Sequence, residues 1–519
     1  MSNFKIKNVL ISVSSKENLD MLLPFLKRHK TQVFTTNGTF NFLKSLSEEV
    51  SLTKISDYTK FPELLDGRVK TLHPLIHAGI LANKKKKKHL KDLNQIKCVF
   101  FDLIIVNLYE FEQIISQNKP EEMCLENIDI GGSTILRAAA KNYENIIVLS
   151  DPNQYKKFIK LSQNKDDRFP INYRKELATE AFKKTAYYDS IISNWFSKRD
   201  CSSTQKISTI PLNQIKKLRY GENPHQKATL YSISKQTILQ LSGKPLSYNN
   251  ILDLEVASEL VNQFKVSSCV IVKHGNPCGA SCAKEQIIAY KNALQTDKES
   301  AFGGVVAFNK KLEKNVAIEI SKLFTELVIA PEYSKEALSH LRSKKNLVLI
   351  QSDEKFSRKL INQQFRSTRN YVLVQNSDNK KLQEKKLRFV TNLNPSKDIL
   401  NDLLFAQKVA KFMNSNAVVI SKNLTTISLS SGQTSRIEAA RQSVSRLNRF
   451  IELNNSNPKN LSLASDGFFP FTDIIEICSL NNINSIIQPG GSINDSNLIE
   501  QANKKKISMV FSNIRNFKH

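Results

Sequence analysis

Short apolar runs alternate with segments of helical period through the first 200 residues of the chain. Residues 9–13, 32–35, 103–106 and 146–149 are apolar runs of strand length. The segments between them place apolar residues three or four positions apart and predict helices that include residues 128–141 and 174–196. This alternation is typical of a parallel α/β sheet, in which a helix connects each strand to the next.

A polar, aperiodic segment at residues 199–209 separates this part from the rest of the chain. We therefore predict two domains, residues 1–199 and 200–519. In the second domain, apolar positions between 251 and 264 predict a buried helix, and further apolar runs predict strands at residues 417–420 and 427–429. A charged stretch at residues 380–386 predicts a division into two lobes near residue 380.

The segment KHGNPCG (273–279) follows an apolar run at 269–272 and precedes a helical pattern from Glu285. We interpret its Gly-Asn-Pro sequence as a break after a strand and before a helix. Lys273 and His274 would then lie at the carboxyl end of a strand, where open α/β sheets bind ligands. Histidine can transfer protons near neutral pH, and lysine can hold an oxyanion or a phosphate. The alternative is a hydrogen-bonded histidine of the core.

The charge of the chain first suggests a nucleic-acid partner, because the formal net charge is +28 and the isoelectric point is near 9.6. However, lysine greatly outnumbers arginine throughout, and the lysine run at residues 84–88 lacks the interleaved aromatic residues of a base-stacking surface. We interpret this run as a solvated loop and expect no nucleic-acid partner. The positive field would still attract small anionic substrates.

The composition also bears on the compartment. No apolar run approaches the roughly 18 residues that a membrane-spanning helix needs. The run at residues 9–13 has the length of a strand rather than of a signal-peptide core. Seven cysteines, an odd number scattered through the chain, fit reduced thiols. We therefore expect a cytoplasmic protein without a membrane partner.

Three segments of the first domain are candidates for binding an anion. Residues 36–39 (TNGT) and 131–133 (GGS) precede helical patterns, so their N–H groups and hydroxyls suit a phosphate, although plain helix capping explains them equally well. In DGRVKTLHP (66–74), Arg68 and Lys70 would project to one side of an extended chain, next to the Thr71 hydroxyl. These residues predict an anion pocket, and an exposed basic loop is the alternative.

Segments of the second domain suggest a planar ligand. LRYGENPHQ (218–226) combines a cation, an aromatic ring, an amide and an imidazole around a Gly/Pro break, which favours a binding loop. SAFGG (300–304) and DGFFPF (466–471) could present aromatic rings, although aromatic clusters more often belong to a core.

A zinc site is the less favoured interpretation of Pro277-Cys278, which resembles half of a zinc-deaminase motif. Three residues rather than two separate Cys278 from Cys282, and the chain contains no His-x-Glu sequence. We therefore expect no catalytic metal.

Five segments together resemble one family, the bacterial bifunctional purine biosynthesis enzymes that fuse AICAR formyltransferase to IMP cyclohydrolase. They are DGRVKTLHP (66–74), IDIGG…LRAAAKN (128–142), LRYGENPHQ (218–226), KHGNPCG (273–279) and DGFFPF (466–471). The resemblance covers essentially the whole chain. It implies an α/β protein with an N-terminal methylglyoxal-synthase-like parallel α/β domain and a duplicated cytidine-deaminase-like α/β domain.

For the first domain, the resemblance implies dehydrative closure of formyl-AICAR to IMP. The matching positions imply Lys70, Tyr109, Asp129 and Lys141 as catalytic residues. The implied substrate-binding residues are Ser12, Ser14, Thr36, Asn37, Gly38, Thr39, Arg68, Thr71 and Asn107. Such a cyclisation requires a polarised carbonyl oxygen, a positioned amine and proton transfer.

For the second domain, the resemblance implies formyl transfer from 10-formyltetrahydrofolate to AICAR, with Lys273 and His274 as catalytic residues. The residues implied to contact nucleotide or folate are Arg219, Tyr220, Phe302, Gly303, Glu332, Asn416, Arg436, Phe471 and Arg515. It also implies a homodimer with this site assembled across the interface.

Two residues depart from the family pattern beside the cyclohydrolase segments. Glu110 stands where proline is usual and adds a negative charge near a phosphate substrate. Asn37 stands where glycine is usual, and we expect it to adopt a left-handed turn, which asparagine tolerates better than other residues with a side chain.

Overall fold

The structure is a computed structural model that describes residues 5–163, 169–197, 206–233, 238–352 and 363–519. The chain forms two compact units, Met1–Leu212 and Asn213–His519. The predicted domain boundary at residues 199 and 200 lies outside the described residues. Within them, no helix is long and apolar enough to cross a membrane.

A parallel sheet organises the first unit. Among its described residues the sheet has five strands in the order β3-β2-β1-β4-β5. The strands are β1 (Asn8–Val13), β2 (Gln32–Thr35), β3 (Ser51–Lys54), β4 (Leu103–Asn107) and β5 (Ile147–Leu149). The apolar runs of the sequence form the central strands, and Ile11, Ile105 and Val148 are completely buried. Such continuous apolar runs are expected where helices cover both faces of a sheet.

Helices connect these strands, as the alternating pattern predicts. Their bounds are Leu23–Arg28, Asn37–Leu46, Ile55–Thr59, Pro74–Leu81, Lys87–Gln95, Phe111–Ser116, Glu121–Glu126, Ile130–Lys141, Tyr155–Ser162 and Ile171–Ser197, with short 3-10 turns at Leu19–Leu22, Leu65–Gly67 and Pro152–Gln154. The predicted loop at residues 84–88 is wrong for Lys87 and Lys88, which begin the helix Lys87–Gln95. All five lysines are exposed, as expected of a solvated segment. Lys84 Nζ lies 2.6 Å from the buried carboxylate of Asp102.

A mixed sheet organises the second unit. Within the described residues it contains twelve strands in the order β16-β21-β20-β19-β17-β18-β10-β9-β11-β12-β13-β8. These are β8 (Leu239–Ser242), β9 (Ser268–Lys273), β10 (Asn276–Cys282), β11 (Val305–Phe308), β12 (Leu327–Ala330), β13 (Val348–Gln351), β16 (Arg388–Phe389), β17 (Val418–Lys422), β18 (Thr425–Ser430), β19 (Leu461–Ser465), β20 (Ile483–Gln488) and β21 (Ser508–Phe511). Two separate hairpins pair β6 (Asn213–Lys217) with β7 (Thr229–Ser232), and β14 (Gln363–Ser367) with β15 (Val372–Asn376).

The twelve-stranded sheet is built from two repeats of one topology. In each repeat a helix leads into an antiparallel hairpin (β9–β10 or β17–β18), three parallel strands extend outward, and an antiparallel strand closes the edge. The repeats meet where β10 pairs with β18. The helices are Tyr248–Val261, Gln286–Thr296, Lys298–Ala301, Lys314–Ile320 and Lys335–Arg342 in the first repeat, and Lys397–Ala410, Arg436–Asn454, Asp473–Leu480 and Asp495–Lys504 in the second.

The predicted break after Lys273 is wrong in one respect. The chain turns at His274-Gly275 and returns at once as β10, so a strand rather than a helix follows β9. Both turn residues have a positive φ, 52° for His274 and 71° for Gly275, as a two-residue hairpin turn of type I′ requires. Pro277 is accommodated next to a register shift of β10, where a missing N–H is tolerated.

Candidate functional site

The first cluster of predicted site residues lies at the carboxyl ends of β1 and β4. The strand order reverses direction between these two strands, and parallel sheets bind ligands in the crevice at such a point. Asn107, at the end of β4, accepts N–H donations from Ser14 (2.6 Å) and Ser15 (3.0 Å), and its amide donates to the Ser15 carbonyl. Ser12 pairs with Val106 one step earlier. Asn107 thereby links the end of β4 to the residues that follow β1.

Residues 36–39 supply the next wall of this crevice. They form the start of the helix Asn37–Leu46, with Thr36 as its N-cap. Thr39 Oγ1 lies 3.3 Å from the Val13 N–H, which ties the helix start to the end of β1. The expectation that Asn37 adopts a left-handed turn is wrong, because Asn37 is the first helical residue. Its N–H and that of Gly38 are therefore free of the helical ladder and suited to an anion.

Asp129 joins this group as the N-cap of the helix Ile130–Lys141. Its carboxylate accepts from Gly132 N–H at 2.7 Å and also from the Tyr109 N–H. Burial raises the pKa of Asp129, while these N–H donors and the nearby Lys70 oppose that shift. The Tyr188 hydroxyl accepts from the Asp129 N–H and donates to the Asn127 carbonyl, so the loop before the helix is held at two points.

The DGRVKTLHP segment reaches the same place. The Thr71 hydroxyl lies so close to Gly131 that a Cβ there would be 2.6 Å from it. Lys16, which is not among the predicted site residues, also belongs to the cluster. Burial, and then the charge of Lys70, lowers the pKa of Lys16. The signal in the sequence that could have identified Lys16 is its position two residues beyond the Ser12-Val13-Ser14 strand end.

A cavity of about 460 Å³ opens beside this cluster and is lined by Ser14, Ser15, Tyr109, Glu110, Gln113, Ile114 and Asn127. Glu110, the departure from the family pattern, therefore borders the cavity. Arg68 is ion-paired with Glu126.

Lys141 lies apart from the other predicted cyclohydrolase residues. It ends the twelve-residue helix that Asp129 caps, so the helical rise separates their backbones by about 18 Å. Lys141 lines a different cavity of about 650 Å³, together with His77, Arg137 and Phe182. One chain does not bring Lys141 and Asp129 together.

The second cluster lies at one end of the twelve-stranded sheet, which we call the His274 end. Lys273 and His274 stand there at the turn between β9 and β10, with His274 exposed. Lys273 Nζ donates to the Phe302 carbonyl at 2.7 Å, which brings the SAFGG segment alongside. Asn276 Oδ1 accepts from the Asn414 N–H at 3.1 Å, so the second repeat contributes to the same end.

The contribution of the second repeat centres on a buried ion pair. Arg436 Nη2 lies 3.3 Å from Asp466 Oδ1, and the two side chains are only 10% and 0% exposed. Arg436 also donates to the Phe468 carbonyl, and its guanidinium and that of Arg515 both lie over the Phe517 ring. The amide of Asn416 donates to the Gln433 carbonyl. Phe302 and Phe471 remain more than half exposed and available to a planar ligand.

Arg219 and Tyr220 reach this end through Glu326. The Glu326 N–H donates to the Gly304 carbonyl, which follows Gly303, and its carboxylate lies 4.0 Å from Arg219 and 2.7 Å from Lys244. Glu332, the predicted acidic residue, lies instead beyond the far end of β12 and pairs with Lys311 on the surface. The structure thus brings Glu326, not Glu332, to the His274 end. Its signal in the sequence is a carboxylate immediately before an apolar run.

Within the described residues, no group of three or more His, Cys, Asp or Glu side chains could hold a metal ion.

Comparison with known proteins identifies the class to which this fold and these two clusters belong. A profile of the "AICARFT/IMPCHase bienzyme" family matches residues 139–446, and a profile of the "MGS-like domain" matches residues 21–134. The chain belongs to the AICARFT/IMPCHase bienzyme family. This confirms the resemblance and the predicted α/β fold class.

Individual relatives agree over the full length. The "Bifunctional purine biosynthesis protein PurH" of Caldicellulosiruptor saccharolyticus is 44% identical over 99% of this chain and 100% of its own. The proteins of that name from Caldicellulosiruptor bescii (99% and 100% covered) and Prochlorococcus marinus strain AS9601 (98% and 99% covered) are 43% and 42% identical. The chain is accordingly a bifunctional enzyme with AICAR formyltransferase and IMP cyclohydrolase activities. It acts on small nucleotides and a folate-derived formyl donor.

Proposed function

We propose that the crevice between β1 and β4 is the cyclohydrolase site. The observation that supports this is a set of contacts at the ends of these two strands. Asn107 binds the residues that follow β1, and Thr39 ties the start of the helix Asn37–Leu46 to Val13. Asp129 accepts from the Tyr109 N–H, just beyond β4, and lies near the charge of Lys70. The helix start would bind the nucleotide phosphate through N–H groups and the helix dipole. Lys70 would stabilise charge on the formyl oxygen, while Asp129 and Tyr109 would position the condensing amide and exchange its protons, so that ring closure releases one water.

We propose that the His274 end is the formyltransferase site and that the donor is 10-formyltetrahydrofolate. His274 would take a proton from the 5-amino group of AICAR as the amine attacks the formyl carbon. Lys273 would stabilise the developing oxyanion, and tetrahydrofolate would leave as the C–N bond to the donor breaks. The exposed rings of Phe302 and Phe471 would contact the planar groups, with Arg219, Tyr220, Gly303, Asn416, Arg436 and Arg515 as binding residues.

A two-stage spectroscopic assay tests both assignments. Consumption of AICAR with the folate donor is followed separately from IMP formation starting with formyl-AICAR. His274→Ala is expected to lose only the first reaction and Lys70→Ala only the second. Loss of both reactions in either variant, in a folded protein, would contradict two independent sites.

We propose that the enzyme is a homodimer and that Lys141, if it acts in cyclisation, acts in the crevice of the second copy. The helix that separates Lys141 from Asp129 supports this, because no rotamer spans about 18 Å. Mixed dimers of Lys70→Ala and Lys141→Ala chains test it. Shared sites would restore up to about one quarter of the wild-type cyclohydrolase activity after statistical mixing. Activity that stays at the level of the separate variants would contradict a shared site.

We further propose that the protein is cytoplasmic, uses no catalytic metal and has no nucleic-acid partner. Dialysis against a chelator should leave both activities unchanged. Binding to DNA or RNA should be absent at physiological salt, and a tight complex under those conditions would contradict the proposal.

A further inference from the structure

The turn that carries His274 requires an unusual backbone conformation. A residue with a side chain at positive φ costs roughly 1–2 kcal/mol, and His274 has a φ of 52°. Such a conformation persists only where surrounding groups hold it. Here one side chain of the preceding helix accepts the hydrogen bonds that hold the turn.

That side chain is Asp253, in the helix Tyr248–Val261. Its Oδ1 accepts the Gly275 N–H at 2.6 Å, and the carboxylate also accepts from the His274 N–H. The N–H groups of both turn residues thus donate to the same acceptor, the Asp253 carboxylate. Burial raises the pKa of Asp253, whereas the two N–H donors and the charges of His274 and Lys273 oppose that shift.

In the second repeat, an equivalent aspartate binds the hairpin turn at the opposite end of the sheet. Asp402 is the sixth residue of the helix Lys397–Ala410 (397 to 402), as Asp253 is the sixth of its helix (248 to 253). Its carboxylate accepts from the Asn423 N–H at 2.8 Å and from the Leu424 N–H at 2.6 Å. These turn residues also have positive φ, 51° and 53°. The second turn carries no proton-transfer group, so it provides a matched internal control.

We propose that Asp253 is a positioning residue of the formyltransferase site: it clamps the His274-Gly275 turn and thereby holds the imidazole where it can accept the proton of the substrate amine. The inference rests on the proposed role of His274. Asp253 does not itself touch the reacting atoms. Its effect should therefore appear in the rate of the bound complex rather than in nucleotide affinity.

The experiment compares Asp253→Ala, Asp253→Asn and Asp402→Ala in the full-length enzyme, with His274→Ala beside them. A turn displaced by about 1 Å should lower formyltransferase kcat roughly 100-fold in Asp253→Ala. KM for AICAR should stay within about threefold, since nucleotide binding is shared among many residues. Asp253→Asn keeps one acceptor oxygen and should recover kcat to within about tenfold of wild type.

The control removes the same clamp where no chemistry is expected. Asp402→Ala should lower the melting temperature about as much as Asp253→Ala, yet keep formyltransferase kcat within about threefold of wild type. IMP formation from formyl-AICAR should be unchanged in every variant.

Equal kcat losses in Asp253→Ala and Asp402→Ala, or a loss confined to KM, would overturn the inference. If Asp253→Ala does not fold, the pair Asp253→Asn and Asp402→Asn decides it by the same comparison of kcat. A fully active His274→Ala would instead refute the proposed function, and the two failures are thereby distinguishable.

Discussion

The two repeats of the second unit share a framework to the level of single hydrogen bonds. Lys273 Nζ donates to the Phe302 carbonyl, and Lys422 Nζ donates to the Lys459 carbonyl, both at 2.7 Å. The Ser268 N–H donates to Asn309 Oδ1, and the Ala417 N–H donates to Asp466 Oδ1. With the Asp253 and Asp402 clamps, this makes three matching polar contacts in each repeat.

The repeats differ in the side chains that face the ends of the sheet. His274 is matched by Asn423 in the hairpin turn. Asp466, charged and paired with Arg436, is matched by Asn309, which is neutral and donates its amide to the carbonyls of Phe264 and Val266. The His274 end therefore combines the β9–β10 turn of the first repeat with Asp466, which follows the carboxyl end of β19 in the second repeat.

This difference teaches where the function of a duplicated fold resides. The backbone, the clamps and the lysine contacts belong to the fold, because both ends of the sheet have them. With the proposed site at the His274 end, the chemistry would depend on a few substitutions within an otherwise equivalent frame. Exchanging matched residues between the repeats is the direct way to separate contributions to the fold from contributions to the chemistry.

The largest effect is expected from His274→Asn, which converts the first turn into the second. Asparagine tolerates a positive φ, so the turn should persist while the proton acceptor is lost. Formyltransferase kcat should fall by about 10³-fold, within the range of general-base catalysis. Asn423→His is the control and should change neither activity. A His274→Asn enzyme with wild-type kcat would show that the turn does not carry the chemistry.

The sequence predicted the strands of the protein better than their pairing. The run Gln32–Thr35 forms a strand with the predicted bounds, because local apolarity decides where a buried strand lies. The hairpin turn at His274-Gly275 is not predictable from the local pattern, because its N–H groups bind Asp253, which lies 22 residues before Gly275.

The candidate site residues were likewise predictable only where they lie in local sequence motifs. The motifs contain Lys273, His274, Asp129 and Thr71, but Lys16 and Glu326 gain their place only through contacts between distant segments. In the sequence, Glu326 and Glu332 are equally plausible as the acidic residue of the site. The direction of β12 decides between them, because Glu326 precedes this strand and Glu332 follows it.

The next effect concerns the buried ion pair. Asp466→Asn, which copies Asn309, leaves the nearly buried Arg436 without its counter-charge and should lower the free energy of unfolding by roughly 3 kcal/mol. The reciprocal Asn309→Asp places a carboxylate beside two carbonyl groups and should cost about 1–3 kcal/mol. Urea unfolding measures both. Two variants of wild-type stability would mean that the pair is replaceable and that the repeats are electrostatically equivalent.

Substitution of the matched lysines, Lys273 and Lys422, distinguishes an effect on stability from an effect on catalysis. Lys273→Met and Lys422→Met each remove one hydrogen bond to a carbonyl, so each should cost about 1 kcal/mol of stability. Only Lys273→Met should also reduce formyltransferase kcat, by roughly 50-fold, through the loss of oxyanion stabilisation. Steady-state kinetics beside thermal unfolding tests this. A comparable loss of kcat in Lys422→Met would indicate that the lysine contact acts through the fold.

The smallest effect is expected from Gly275→Ala, because the second repeat already has Leu424 at the matching position with a φ of 53°. A Cβ at Gly275 would meet no atom within 4 Å, so only the backbone strain of its φ of 71° is added. The free energy of unfolding should therefore fall by about 1 kcal/mol, as measured by urea unfolding. Failure of Gly275→Ala to fold would show that the two turns, despite their common clamp, do not bear equal strain.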